Sequence, residues 1–101
     1  MKETNRGLEY LPPPVRLNPN LVFTREVTVF AQGLKRVQNS KEPILFQIDR
    51  NGLACLTDGN HRAHLAWRKR EALWGQCIGR LNFDVTTNPD YRPVSRLKII
   101  R

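Results

Sequence analysis

Two short apolar runs, ILFQID (residues 44–49) and LACLT (residues 53–57), are separated by Arg50-Asn51-Gly52. An Asn-Gly pair between two such runs is a strong short-range hairpin feature, because a two-residue turn of this kind places its central residues at positive φ. Pro43 bounds the pair on one side and Asp58-Gly59 on the other. The pattern predicts an antiparallel hairpin with strands at 44–49 and 53–57.

The segments on either side follow from periodicity. Residues 1–7 are polar and expected to be loose. LEYLPPPVRLNP carries Pro12, Pro13, Pro14 and Pro19, so it can be neither helix nor central strand. Leu8 to Leu11 suit a short edge strand before it. Val27, Phe30, Ala31, Leu34 and Val37 recur at three and four, which predicts a helix from about Arg25 to Gln38. Thr24 is its N-cap in this reading, and Lys35 and Arg36 sit where the dipole favours cations. A second helix is expected from about His61 to Leu73, stopped near Gly75. QCIGRLNFDV reads as a strand weakened by Gly79, TTNPD as a turn, and SRLKII as a final strand. The chain, residues 1–101, is thus expected to be one α+β domain with a small mixed sheet and two main helices.

Seventeen Lys and Arg residues stand against nine Asp and Glu, a formal net charge of +8. That balance favours a polyanionic partner (nucleic acid, nucleotide or an anionic surface), although excess charge also keeps a protein soluble. Cys55 and Cys77 lie inside apolar segments without a CxxC neighbour, so they read as reduced core residues and not as metal ligands. No stretch approaches the roughly 20 apolar residues of a membrane span, and MKETNRGLEYLPPP has no apolar run for a signal sequence. A cytoplasmic protein without membrane contact is expected.

The chemistry concentrates at the corner after the hairpin, Asp58-Gly59-Asn60-His61-Arg62. Gly59 permits a tight turn and close approach of a ligand to the backbone. The first N–H groups of the following helix are unpaired and partly positive, which makes such a corner a natural phosphate site. Arg62 can grip phosphate oxygens with its fork, and His61 can donate a hydrogen bond or shuttle a proton. Asp58 has three open roles: orienting His61 or Arg62, holding a metal ion, or fixing the turn. Ordinary capping and turn chemistry would account for the same residues.

The run D-G-N-H-R, following a hairpin and opening a helix, resembles the motif of the ParB/sulfiredoxin-like superfamily. That superfamily includes partition proteins of the ParB type, sulfiredoxin, free serine kinases and the DGQHR proteins of DNA sulfur modification. Asn18-Pro19 and Pro43-Ile44 fit its lead-in, and the resemblance covers roughly Leu8 to Leu81. It implies that Asp58, Gly59, Asn60, His61 and Arg62 line a nucleotide-phosphate pocket. It also implies that Glu26, the counterpart of a glutamate near the start of the first helix, acts as base. Sulfiredoxin has a reactive cysteine where this chain has Asn60, so sulfinic-acid reduction is not expected. Nor is the helix-turn-helix domain that partition proteins add after this one.

The resulting expectation is a phosphate-binding domain for a nucleotide or DNA. If it turns over, it carries out phosphate-ester hydrolysis or phosphoryl transfer (as a nuclease or nucleoside triphosphatase), with Glu26, His61 and Arg62 as the catalytic group. Mg²⁺ shared with a nucleoside triphosphate is the expected cofactor. The alternative is a non-catalytic, phage- or plasmid-type accessory protein that binds DNA or a host protein through its basic surface. Arg68-Lys69-Arg70 is expected to form a basic wall beside the pocket or to contact nucleic acid, or else to be a solvated face. At least one of the three is placed near the packed side. Trp67 and Trp74, seven apart, are expected to share a helix face and anchor it to the core, with base stacking as the other reading. His61 and His64 lack a third metal ligand nearby.

Overall fold

The computed structural model describes residues 12–101. The expected Leu8–Leu11 strand and the loose residues 1–7 lie outside the described residues. The hairpin forms where the Asn-Gly pair predicts one, with β4 (Ile44–Ile48) antiparallel to β5 (Ala54–Asp58), but its connection is longer than a two-residue turn and only Gly52 within it has positive φ (85°). Around it lie β1 (Val15–Leu17), β2 (Val22–Thr24), β6 (Leu73–Arg80) and β7 (Arg92–Pro93), giving one mixed sheet in the order β1-β6-β4-β5-β2-β7. β4 pairs parallel to β6 and β5 parallel to β2, so the hairpin occupies the centre. A second, two-stranded sheet joins β3 (Thr28–Phe30) in parallel with β8 (Lys98–Ile100). Among the described residues two α-helices, α1 (Ala31–Arg36) and α2 (Asn60–Lys69), complete an α+β domain. No helix among the described residues is long and apolar enough to cross a membrane.

The proline-bearing segment behaves as its chemistry requires. Val15–Leu17 is an edge strand against β6, and Pro19 is buried at the start of a 3₁₀ turn, Pro19–Leu21, whose N-cap Asn18 accepts from the Asn20 amide at 3.0 Å.

The first expected helix is largely overturned. It starts at Ala31 and not near Arg25, and residues 28–30 are strand. Val27, Thr28 and Val29 are β-branched, which lowers helix propensity and suits a pleated surface. Val29 is fully buried against the core opposite Ile99, whereas Val27 and Phe30, two residues of the apparent helical stripe, are exposed. Pairing with the C-terminal strand therefore outweighs the helical period. Thr24 is not a helix cap but a buried strand residue.

The second helix ends at Lys69, short of the expected Leu73. Arg70 takes a left-handed conformation (φ 56°). Its amide donates to Trp67 O and that of Glu71 to Ala66 O, which is the Schellman pattern of helix termination. Leu73-Trp74-Gly75 consequently belongs to β6, and the strand expected at 76–85 runs instead from Leu73 to Arg80. Trp67 and Trp74 do not share a helix face. Trp67 packs against the core, while Trp74 is an exposed strand residue.

Ala63, His64 and Ala66 form the buried side of α2, and small residues there let the helix lie close to the sheet. His64 is a core residue: its Nδ1 lies 2.9 Å from Val94 O and its ring sits 5.3 Å from that of Trp67. Both cysteines are free. Cys55 is buried and Cys77 half-buried, and burial, then the nearby Asp49 charge, pushes the Cys55 thiol up to about 12.

Candidate functional site

The corner sits where the central hairpin meets α2. β5 ends at Asp58, Gly59 turns the chain in a left-handed conformation (φ 105°, ψ 29°), and Asn60 begins the helix. A Cβ at position 59 would overlap Ile44 Cγ2 and lie 2.9 Å from Ile44 Cβ, so glycine is required by both conformation and space. The Ala63 amide is the first to find an intrahelical acceptor, Gly59 O at 2.9 Å. No side chain caps the helix start, and its first turn contains no acidic residue. The amides of Asn60, His61 and Arg62 thus form an uncapped, partly positive helix N-terminus.

That terminus opens on a cavity of about 280 Å³, whose lining includes Glu26, Phe30, Asp58, Gly59, Asn60, His61 and Arg62. All of the residues expected at the phosphate pocket are therefore brought together. Glu26 is among them although it stands in the turn between β2 and β3 and not at a helix start.

Two contacts that sequence reasoning missed hold this arrangement. The Thr24 hydroxyl donates to Asn60 Oδ1 and accepts from the Glu26 amide at 3.0 Å, so one buried side chain ties the corner to the Glu26 turn. Arg92 Nη1 reaches the same turn from the far end of the chain, donating to Arg25 O at 2.7 Å and Glu26 O at 2.6 Å. The Thr24–Asn60 and Arg92 contacts span long sequence separations, and no local pattern marks them.

Arg62 is nearly buried, its side chain 16% exposed. Its Nη1 lies 3.6 Å from Glu42 Oε2 and its Nη2 3.9 Å from Asp58 Oδ2. Nη2 also meets Pro43 O at 3.5 Å, and the buried Nε has no partner. Both carboxylates are mostly solvent-exposed and both contacts are long, so these ion pairs are weak. A guanidinium fixed by packing but poorly satisfied is ready to exchange such partners for the oxygens of an anion.

His61 is committed differently. Its Nε2 accepts from the Phe30 amide at 3.0 Å, its ring stacks near that of Phe30, and Gly33 of α1 leaves room for it. With Nε2 as acceptor, the ring proton resides on Nδ1. Burial first, then the charges of Arg36 and His64, hold the imidazole below its ordinary value of 6.5. Folded His61 therefore stays neutral at pH values where the unfolded chain takes up a proton. Its contribution to stability is fully present above about 6.5 and declines as pH falls below it, towards the lowered folded-state value. Urea denaturation across this range is expected to show stability falling with acidification, and His61→Gln, which keeps an acceptor but cannot titrate, is expected to flatten that limb.

Arg68, Lys69 and Arg70 do not form a wall beside this cavity. They stand at the opposite end of α2, roughly 10 Å or more along the axis at 1.5 Å per residue, and all three are exposed. Asp58 and Glu26 are the carboxylates that line the cavity, and among the described residues no cluster of three His, Cys, Asp or Glu could hold a metal ion. Two carboxylates fit a Mg²⁺ held chiefly by a ligand's phosphates, and not one held by protein alone. Compared with protein-family models, curated proteins and solved structures, the chain has no match.

Proposed function

We propose that this chain is a ParB/sulfiredoxin-like domain that binds a phosphate group of a nucleotide or nucleic acid at the Asp58–Arg62 corner. The observation that carries the reading is the uncapped N-terminus of α2 opening on a cavity beside the nearly buried, weakly partnered Arg62. Backbone amides and a guanidinium converge there on one small space, and both favour negative charge. The family resemblance of D-G-N-H-R supports the same ligand class, as does the net charge of +8.

In the enzymatic form of this reading, the reaction is phosphate-ester hydrolysis or phosphoryl transfer. Arg62 and the helix amides stabilise charge developing on the phosphoryl oxygens. Glu26, exposed at the rim, takes the proton from the attacking hydroxyl or water. His61 positions the Phe30 backbone through Nε2, leaving only Nδ1–H to donate. Asp58 and Glu26 are the residues that would help hold a Mg²⁺ shared with the ligand's phosphates, and such an ion would supply neutralisation of phosphate charge. The engagement of His61 Nε2 favours a second reading, a non-catalytic accessory protein using the same pocket for binding alone.

Thermal unfolding with each nucleoside triphosphate and Mg²⁺ tests the pocket. A ligand at 100 times its Kd is expected to add about 2.7 kcal/mol, which raises Tm by roughly 10–20 °C in a domain of this size. Arg62→Ala is expected to abolish the shift. No shift with any triphosphate removes the nucleotide reading, and a shift without phosphate release on prolonged incubation selects the non-catalytic one.

A further inference from the structure

We propose that a second, separate groove, at the C-terminal end of α2, binds single-stranded nucleic acid. The groove encloses about 970 Å³ between β1, the Pro19–Leu21 turn and the end of α2. Arg16 lines it from the edge strand, and Arg68 and Arg70 from the helix end, so cations face it from two sides. Among the described residues Glu71 is the one acid in its lining, and Asn20 adds a polar side chain. Trp67 lines it too, half-buried and braced by the ring of His64 at 5.3 Å. A cationic track with a rigid aromatic is the chemistry of single-strand binding, in which phosphates pair with arginines and a base stacks on the ring. A concave groove of this kind receives a flexible strand and not the convex face of a duplex.

Arg70 supplies an independent observation. It occupies the left-handed position that ends α2, where glycine is ordinarily found because any Cβ is strained. An arginine kept in that conformation, with its side chain lining the groove, is poorly explained by helix termination alone. Stability and ligand binding are therefore expected to oppose each other at this residue.

The test uses a short oligothymidylate and the Trp74→Phe protein, in which Trp67 is the one remaining tryptophan. Trp74 lines a different cavity and is exposed, so its replacement leaves the groove intact. Binding is expected to quench Trp67 fluorescence. If the three arginines meet phosphates, the log–log salt slope is about −2, and affinity falls roughly 20-fold between about 50 and 200 mM salt. Arg16→Glu with Arg68→Glu, both at exposed positions, is expected to lower affinity at least about tenfold, with folding checked by circular dichroism. Arg70→Gly is expected to melt at a higher temperature yet bind more weakly. Arg16→Glu/Arg68→Glu, at positions that line the groove and not the corner cavity, is expected to leave any thermal shift with a nucleoside triphosphate in place, so the fate of this groove is read separately from that of the corner. Absence of binding, binding without Trp67 quenching, indifference to Arg16→Glu/Arg68→Glu, or tighter binding of an acidic peptide would each overturn the proposal.

Discussion

Replacing Asp49 by alanine is expected to destabilise the domain by about 3–5 kcal/mol, measured by urea denaturation. Asp49 is 3% exposed and accepts three backbone hydrogen bonds. Oδ1 takes the amides of Asn51 at 2.9 Å and Leu53 at 2.7 Å, and Oδ2 takes that of Val85 at 3.0 Å. One carboxylate therefore closes the hairpin turn and fastens it to the segment after β6. Alanine leaves three amides without their acceptor, two in the turn and one on a buried residue, and such orphaned donors carry the full desolvation cost. Asp49→Asn discriminates the causes. Its oxygen can still serve the turn, but its NH₂ would face the Val85 amide donor to donor, so it is expected to lose roughly half as much. A loss below about 1 kcal/mol for Asp49→Ala would mean that water reaches these amides and replaces the carboxylate.

How much of this molecule could be read from its sequence depended on the range of the interactions. The hairpin was legible because its determinants are adjacent: two apolar runs and an Asn-Gly turn. So was the corner, since Asp58-Gly59 must break the strand and a helical pattern follows at once. The α+β class held for the same reason. What failed depends on partners far along the chain. The β3–β8 pairing joins residues 28–30 to 98–100, and nothing local announces it. Helical spacing at residues 27, 30 and 31 was accidental, because Val29, off that stripe, is the residue that is buried. The end of α2 escaped notice for a different reason, as Arg70 adopts a conformation for which the expected residue was glycine. At the site, the motif residues were found by their order, but the Thr24 tether and the Arg92 brace were not. Thr24 reads as a helix cap, and nothing in the local sequence singles out Arg92. Asp49 likewise reads as the last residue of the first hairpin strand, with no sign that its carboxylate closes the turn and serves Val85.

Gly59→Ala is expected to cost about 3 kcal/mol, the sum of two separable effects. The first is conformational: φ of 105° is strained for any residue with a Cβ, at roughly 1–2 kcal/mol. The second is steric, since the new methyl would overlap Ile44, which is fully buried and cannot swing into solvent. Overpacking of that kind adds about 1–3 kcal/mol. Gly52→Ala provides the comparison, for Gly52 also has positive φ (85°) but nothing lies within 4 Å of a Cβ there. It is expected to show only the first effect. If the two variants lose equal stability, Ile44 has moved aside and the corner is more plastic than its packing implies. If Gly59→Ala loses the larger amount, the corner is held rigidly against the hairpin core, with its three free amides fixed in place. A phosphate site requires that rigidity, because donors that must be ordered on binding give up affinity to their own entropy. The stability difference between the two alanine variants thus measures how well the corner is preorganised for an anion.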